Sequence, residues 1–468
     1  MRLRRSSVAT CALVTLEALG CGDVVSQPIG FAAGGDGGDG ATLHRGSATE
    51  AGADAASTLG DAGSQTFCAG RGPIPLPGSS ACVGDLSDVF RFAACACKSL
   101  DVSGAFSSDS FNSTSDAGPA SGDLASIGSN GEISTNSRLT LAGSLWAGGP
   151  APDGGPAVTL GGGVSAGGTI AHDVHSAADV QVDGKYLVGG SVWANGNVTL
   201  GPGGSLAVLG TLTVPTGDFT AGVQATVVNS PVASTAPCSC AAPVDIAAVV
   251  AAYASGSDDS LIGLATNESL TGAVALPCGR YYVAGIDGDT VALQVDGRVA
   301  LFVAGDIAVT QDLSIELAPG AELDLFVAGS VSIMGGFEIG NADSPSRTRM
   351  YVGGATLALS ANASPLAANI YAPNAVLELA SDLEMWGSIF ADHVQLSGDF
   401  AIHYDTSVLQ VAAASGCARA AGPCQSCNDC SGATPACKTG TCAPCTTTAD
   451  CCAPLGCDSS GRCVLEIP

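Results

Sequence analysis

The chain has 468 residues, more than one core usually organises, and its 46% hydrophobic content supplies a large packed interior and excludes a wholly disordered protein. Sixty-four glycines with only 5% aromatic and 13% charged residues exclude an ordinary helical enzyme and fit many tight turns between short strands. Acids outnumber bases 43 to 16 and no basic cluster follows the first five residues, so nucleic acid meets repulsion, and the scattered carboxylates read as a solubilising surface.

Residues 1–21 have the pattern of an export signal: "MRLRR" is a basic start, "SSVATCALVTL" a short apolar stretch, and "EALGC" a small-residue cleavage site. The stretch Ala18–Cys21, "ALGC", resembles the lipobox of bacterial lipoproteins, which implies that Cys21 becomes a lipidated N-terminus and that the membrane is a partner through that lipid. No later run has the length of a membrane-spanning helix. Residues 22–66 are nearly free of large apolar side chains and form a tether with a reach of roughly 35–40 Å.

Residues 67–100 read as a cysteine-bearing cap, which a solenoid needs to cover its end coil. From there short alternating runs are punctuated by glycine, as in "RLTLAGSLWAGG" and "AVTLGGGVSAGG". "GSLWAGG" at 143–149 returns as "GSVWANG" at 190–196, and "ALFVAGDIAV" at 300–309 returns as "DLFVAGSVSI" at 324–333. Such intervals match one turn of a parallel β-helix. Leu301, Val303, Leu325 and Val327 are expected to point inward and stack coil on coil, with Gly305 and Gly329 turning corners. In "PVDIAAVVAAYAS", Ile246, Val249, Val250 and Tyr253 share a helical face with Asp245 as N-cap, which predicts a short helix.

The expected architecture is therefore mainly β: a right-handed parallel β-helix, or solenoid, with a short helical insert and a small disulfide-rich C-terminal module. An antiparallel sandwich or barrel is the alternative for short glycine-bounded strands. The first β-helix part spans 101–236, the cysteine-flanked insert 237–277, the second β-helix part 278–411 and the cysteine-rich tail 412–468.

Setting aside Cys11 and Cys21, 18 cysteines remain. Eight are Cys68, Cys82, Cys95, Cys97, Cys238, Cys240, Cys278 and Cys417; ten lie in the tail, at Cys424, Cys427, Cys430, Cys437, Cys442, Cys445, Cys451, Cys452, Cys457 and Cys463. Both sets are even, as internal disulfides require in an oxidising compartment. Zinc is the alternative at the C-x2-C spacings of the tail, but the tail holds no histidine and its adjacent Cys451–Cys452 suits a disulfide framework. The tail resembles small cysteine-rich modules of secreted proteins, which bind or protect.

Chemistry is sparse. Between residues 122 and 416 the only bases are Arg138, Lys185, Arg280, Arg298, Arg347 and Arg349, too few to grip an acidic polysaccharide in the manner of a lyase. The acidic doublet Asp258–Asp259 falls in a loop. "HDVH" offers His172, Asp173 and His175 to a metal, yet its histidines fall on opposite faces of a strand. "DFAIHYD" places Asp399, Ala401, His403 and Asp405 on one face of a last coil, opposite Phe400, Ile402 and Tyr404. Trp146, Trp193 and Trp386 are candidate sugar-stacking platforms, with core packing the alternative.

The set "LPCGRYYV", "VDGRVALFVAGD", "AELDLFVAGS", "NIYAPNAVLEL", "WGSIFA" and "IHYD" resembles an uncharacterised surface domain of exported myxobacterial proteins, whose second half also occurs in proteins with pilus-assembly-like starts. The resemblance covers residues 278–405 and, more loosely, 68–277. It implies β-helical surface architecture and carries over no catalytic residue. The expected protein is exported and lipid-anchored at the outer membrane or surface of a Gram-negative bacterium, or else secreted. Its expected role is structural or adhesive, binding extracellular polysaccharide or surface proteins, with no cofactor and no metal. The alternative is a β-helical polysaccharide lyase or glycoside hydrolase whose acids come from separate coils.

Overall fold

The computed structural model describes residues 66–74, 89–114, 124–162, 167–215, 219–220, 222–233, 236–241, 243–265, 268–360 and 365–409, and in the tail 436–438, 441–447, 450, 455–457 and 463–465. Cys21, Cys82, Cys417 and the tail cysteines through Cys430, with Cys451 and Cys452, lie outside the described residues. The tail contributes two antiparallel hairpins, Ala436–Lys438 with Thr441–Ala443 and Leu455–Cys457 with Cys463–Leu465.

The remaining strands form one 26-stranded sheet whose pairings are parallel. Most strands of the first half are three or four residues long, and alternation fixes their faces: in Val158–Leu160 and Val180–Val182 the outer two residues are buried and the central one is half-buried. The repeat at 300–309 and 324–333 stacks on itself, since Leu301, Phe302 and Val303 are register partners of Leu325, Phe326 and Val327, which in turn pair with Met350, Tyr351 and Val352. Gly305 and Gly329 serve by smallness, not by backbone freedom. A Cβ on Gly329 would lie 2.1 Å from Asp306 Oδ1, and one on Gly305 2.7 Å from the Ala284 carbonyl oxygen.

The order of stacking departs from the order of the chain. From Ala94–Val102 the turns advance through Ile127–Ser129, Leu145–Ala147, Val174–Ser176, Val192–Ala194 and Ser205–Val214 to Val223–Asn229. A second series starts at Leu270–Val283 and runs through Ile286–Val303, Glu322–Val327, Thr348–Val352 and Leu366–Leu379 to Leu383–Leu396. Its last strand pairs with Ala94–Val102, so the second half of the sequence stacks ahead of the first.

The mainly-β class expected from the sequence holds, but an open right-handed β-helix laid down in chain order behind a cap does not describe this sheet. The pairing closes into a ring of twelve parallel strands: Ala94–Val102, Ile127–Ser129, Leu145–Ala147, Val174–Ser176, Val192–Ala194, Ser205–Val214, Lys185–Val188, Gly167–Ile170, Leu139–Leu141, Phe106–Phe111, Phe400–Asp405, Leu383–Leu396 and back to the first. Closure follows from length. Ser205–Val214 and Leu383–Leu396 each pair with two different columns of strands, linking ladders that the short strands leave separate. Ala94–Val102 is paired on both sides, so Ala94–Leu100, the last part of the expected cap at 67–100, lies inside the sheet.

Residues 230–269 connect the two series as a return strap. Asp245 caps its helix, Ile246–Ala252, accepting from the Ala248 N–H at 2.9 Å, and Ile246, Val249 and Val250 are buried. The strap runs along a column of side chains that alternation turns away from the interior: Phe302, Phe326, Tyr351, Tyr371 and Phe390. Tyr253 stacks on Phe302 at 4.2 Å, Phe326 on Tyr351 at 4.4 Å, and the Tyr371 hydroxyl accepts from the Val244 N–H at 3.1 Å. Both faces of these strands are therefore buried, which explains the unbroken burial of Glu322–Val327 after its first residue and of Thr348–Val352. Burying each aromatic ring stabilises the strap by about 1.5–3 kcal/mol. Disulfides Cys95–Cys238 and Cys97–Cys240 fasten its start, and Cys68–Cys278 ties the N-terminal segment to the first strand of the second series.

Candidate functional site

The same outward column continues past the strap. Leu145–Ala147, Val174–Ser176 and Val192–Ala194 put Trp146, His175 and Trp193 in register while their neighbours Leu145, Val174 and Val192 point into the core. The imidazole lies flat between the indoles, 3.5 Å from Trp146 and 4.5 Å from Trp193 between ring centres. Burial pushes the His175 pKa down to about 3, so the ring is neutral, and its buried Nε2 has no hydrogen-bond partner. On the Trp146 side Pro237 closes the column, its Cβ only 3.3 Å from where a Cβ on Gly128 would stand. On the Trp193 side an open cleft of about 380 Å³ is lined by His175, Trp193, Thr213, Val228 and residues 230–233.

"HDVH" is thereby dispersed. Asp173 is buried and accepts from the Ser191 N–H at 2.7 Å; burial raises its pKa against the pull of that hydrogen bond and of His172. His175 is held by two indoles, and among the described residues no group of three or more His, Cys, Asp or Glu gathers at a metal position.

"DFAIHYD" divides differently from the expectation. Phe400–Asp405 is not a last coil: it lies between Leu383–Leu396 and Phe106–Phe111. His403 faces outward, with Nδ1 2.8 Å from Asp109 and Nε2 2.9 Å from Glu384, and Trp386 stacks over it at 5.1 Å. The carboxylates sit at opposite ring nitrogens and so converge on no common point. Asp405 is fully buried and does not share that surface. It accepts from the Ser113 hydroxyl at 2.6 Å and the Ser407 N–H at 3.0 Å, tying the end of the second series to the first.

Of the six bases, Arg349 is 1% exposed, with Nε 2.6 Å from Asp324, Nη2 3.2 Å from Glu322 and Nη1 donating to the Ser346 carbonyl at 2.8 Å. Burial is the largest single influence and opposes its charge, but the attraction and hydrogen bond of Asp324, with Tyr351 and Glu322, together outweigh it and hold the guanidinium charged. Arg298 donates to the Phe67 and Gly72 carbonyls, and Arg280 and Arg298 both lie over the Phe67 ring. Asp258 and Asp259 accept from the N–H groups of Arg280 and Tyr282, both at 2.8 Å, capping the edge of the second series. These charges serve structure.

The acidic excess likewise has a structural share that composition hides. Asp173, Asp179, Asp306 and Asp382 each accept from a backbone N–H one turn further on, at Ser191, Asn197, Ser330 and Asp399, over 2.7–2.9 Å. Gly190, Gly196, Gly329 and Gly398 stand just before the donors; at the first three a Cβ would fall 2.1 Å from the carboxylate oxygen. Asp followed one turn later by Gly-Ser, Gly-Asn or Gly-Asp is the signal that reveals this corner. The polar chain Asp101–Ser99–His393 had no such signal. Ser99 Oγ donates to Asp101 at 2.8 Å and meets His393 Nδ1 at 3.0 Å. The hydroxyl, not the imidazole, sits in the middle, which is the wrong order for activating a nucleophile.

The fold and its surfaces define a mainly-β, parallel-stranded protein stapled by disulfides. Residues 240–411 match a family described as a domain of unknown function, DUF7305. The matched region starts in the strap and runs through the second series of strands, so the strap and the turns it covers coincide with one sequence unit. No curated protein and no solved structure matches the chain.

Proposed function

We propose that this is an exported surface protein, lipid-anchored through Cys21, whose wound parallel-strand body acts as a structural and adhesive scaffold that binds extracellular polysaccharide or surface partners and carries out no catalysis. The observation that carries this reading is the stapling: among the described residues, disulfides join cysteines 143, 143 and 210 positions apart, a covalent design suited to an oxidising space outside the cytoplasm. The bases and acids with the closest partners hold the fold together, which favours a scaffold over a lyase or glycosidase. The match to a domain of unknown function is compatible with the uncharacterised surface domain that the motifs resemble.

The test is co-sedimentation of the oxidised protein with a panel of neutral and acidic polysaccharides, scored also for new reducing ends and unsaturated products. Binding without turnover is the expected outcome. Turnover on any member, or absence of binding to polysaccharides and isolated cell surfaces alike, overturns the proposal. Globomycin-sensitive processing and loss of membrane association in Cys21→Ser test the anchor.

A further inference from the structure

The outward column on the strap side contains two runs of stacked rings. In the second series Tyr253 covers Phe302, Phe302 faces Phe326, and Phe326 faces Tyr351. In the first series Trp146 covers one face of His175 and Trp193 the other. The ladder stops at Trp193. Its register partner one turn on is Thr213, followed by Val228, and neither side chain has the area to cover an indole. A step between neighbouring strands is about 4.8 Å, the thickness of one further ring. The cleft lies at this step, bounded by Trp193, Thr213, Val228 and residues 230–233.

The lining fixes the class of ligand. It contains no charged side chain: His175 is neutral because burial lowers its pKa, and the remaining side chains are hydroxyl, apolar or indole. A ring that stacks on indole and offers hydroxyls fits, because a hydroxyl both donates and accepts and so suits Thr213 and Ser230 in either role. An acidic sugar finds no cation in the cleft and approaches a protein of net charge −27.

We propose that this cleft is a subsite for a neutral pyranose residue of an extracellular glycan, which takes the next position in the ladder by stacking on Trp193 above Thr213. This rests on the polysaccharide-binding reading and narrows it to one place and one chemical class. Trp386, one face of which stacks on His403, has no part in this subsite because it does not line the cleft.

The experiment uses the intact oxidised protein and a panel of neutral gluco-, manno-, xylo- and galacto-hexaoses beside a hexagalacturonate, read by saturation-transfer NMR and tryptophan fluorescence. Trp193→Ala removes the platform, and Thr213→Trp fills the slot with the protein's own ring; Trp386→Ala is the control. The expected result is binding of at least one neutral hexaose, weakened at least tenfold in both Trp193→Ala and Thr213→Trp and unchanged in Trp386→Ala. Neutral binding that survives in Thr213→Trp, or preference for the hexagalacturonate, overturns the subsite and leaves the adhesive reading standing. No binding to any member of this panel overturns the subsite, and the adhesive reading falls with it only if the polysaccharide and cell-surface co-sedimentation also fails.

Discussion

Ser99 and His393 hold the same register position in adjacent parallel strands, and their side chains meet at 3.0 Å across 294 residues of chain. The contact lies on the seam where the two series of turns join. The sheet is thus a circular permutation of a stack that would otherwise be laid down in order, with the strap as the detour. A permutant that begins at residue 236, runs to 409 and continues through a Gly/Ser linker into residues 66–235 opens the chain within the strap and lays down the second series before the first. A linker of about 20 residues reaches about 25 Å, roughly five strand spacings. We expect this permutant to keep Cys68–Cys278, Cys95–Cys238 and Cys97–Cys240 in a peptide map and to unfold within about 1–2 kcal/mol of the parent in denaturant. A permutant that forms only aggregates contradicts the stacking order.

The paired disulfides Cys95–Cys238 and Cys97–Cys240 close loops of the same length, with a sequence separation of 143 in each. Closing such a loop in the unfolded chain is worth about 5 kcal/mol on the chain-entropy account, and the second bond adds little once the first is made. Cys97→Ser with Cys240→Ser is therefore expected to cost under about 1.5 kcal/mol, and removal of all four cysteines several times as much. Loss of both bonds also frees the start of the strap, so dye binding to Phe302, Phe326 and Tyr351 should rise only in the quadruple variant. Equal costs for one and both pairs would show that the bonds act independently.

Arg349 and Asp324 form a buried pair beneath the Ser346 turn and the N-terminal segment, whose Gly72 and Ile74 N–H groups donate to Glu322 and Asp324. Removing one partner leaves an uncompensated buried charge. Arg349→Met should destabilise the protein by about 3–5 kcal/mol, and Arg349→Lys by much of that, because one ammonium cannot serve all three acceptors. Arg349→Met combined with Asp324→Leu should cost less than the sum of the single changes in a denaturation double-mutant cycle. Strict additivity would contradict the coupling.

Strands, turn length and the capped helix were legible because each rests on local pattern. The return of "LFVAG" sets Phe302 over Phe326, and Asp245 before an apolar face marks the helix start. What lies between distant segments left no such trace. Periodicity reports the length of a turn but not which end of a stack the next turn joins, so residues 67–100 read as a cap, although Ala94–Leu100 belong to a strand that is paired on both sides. Alternation likewise assigns Phe302 and Trp193 to the outward face without saying whether a strap covers them; it covers the first and leaves a cleft beside the second.

The corner formed by Asp306 and Gly329 makes a separable claim about glycine. A Cβ at 329 would sit 2.1 Å from Asp306 Oδ1, so Gly329→Ala forces the carboxylate off the Ser330 N–H it accepts from at 2.8 Å. The expected cost is about 1–3 kcal/mol, from overpacking and a lost charge-assisted hydrogen bond. Asp306→Ala alone should cost about 1 kcal/mol, and Gly329→Ala in that background should cost markedly less than in the parent. If Gly329→Ala costs the same in both, the glycine is needed for its close approach to Gly305 and not for the carboxylate.

His175 gives the protein an acid-sensitive element whose sign follows from its environment. Its pKa is about 3 in the folded protein, because burial between Trp146 and Trp193 disfavours the charged ring, whereas an unfolded histidine titrates near 6.5. Above about pH 6.5 neither state holds the extra proton and the residue contributes no pH dependence. Between about 6.5 and 3 the unfolded chain binds a proton that the folded protein does not, so stability falls as pH falls, at about 1.4 kcal/mol per pH unit at most. Below about pH 3 both states are protonated and this contribution levels off. Replacing His175 by Phe keeps a ring in the ladder and removes the titration. Denaturant unfolding followed from pH 8 to pH 3.5 should then show a shallower acid decline in His175→Phe than in the parent, with the two curves parallel above pH 7. Parallel curves across the whole range would mean that His175 is protonated without cost and that the ladder opens readily at Trp193.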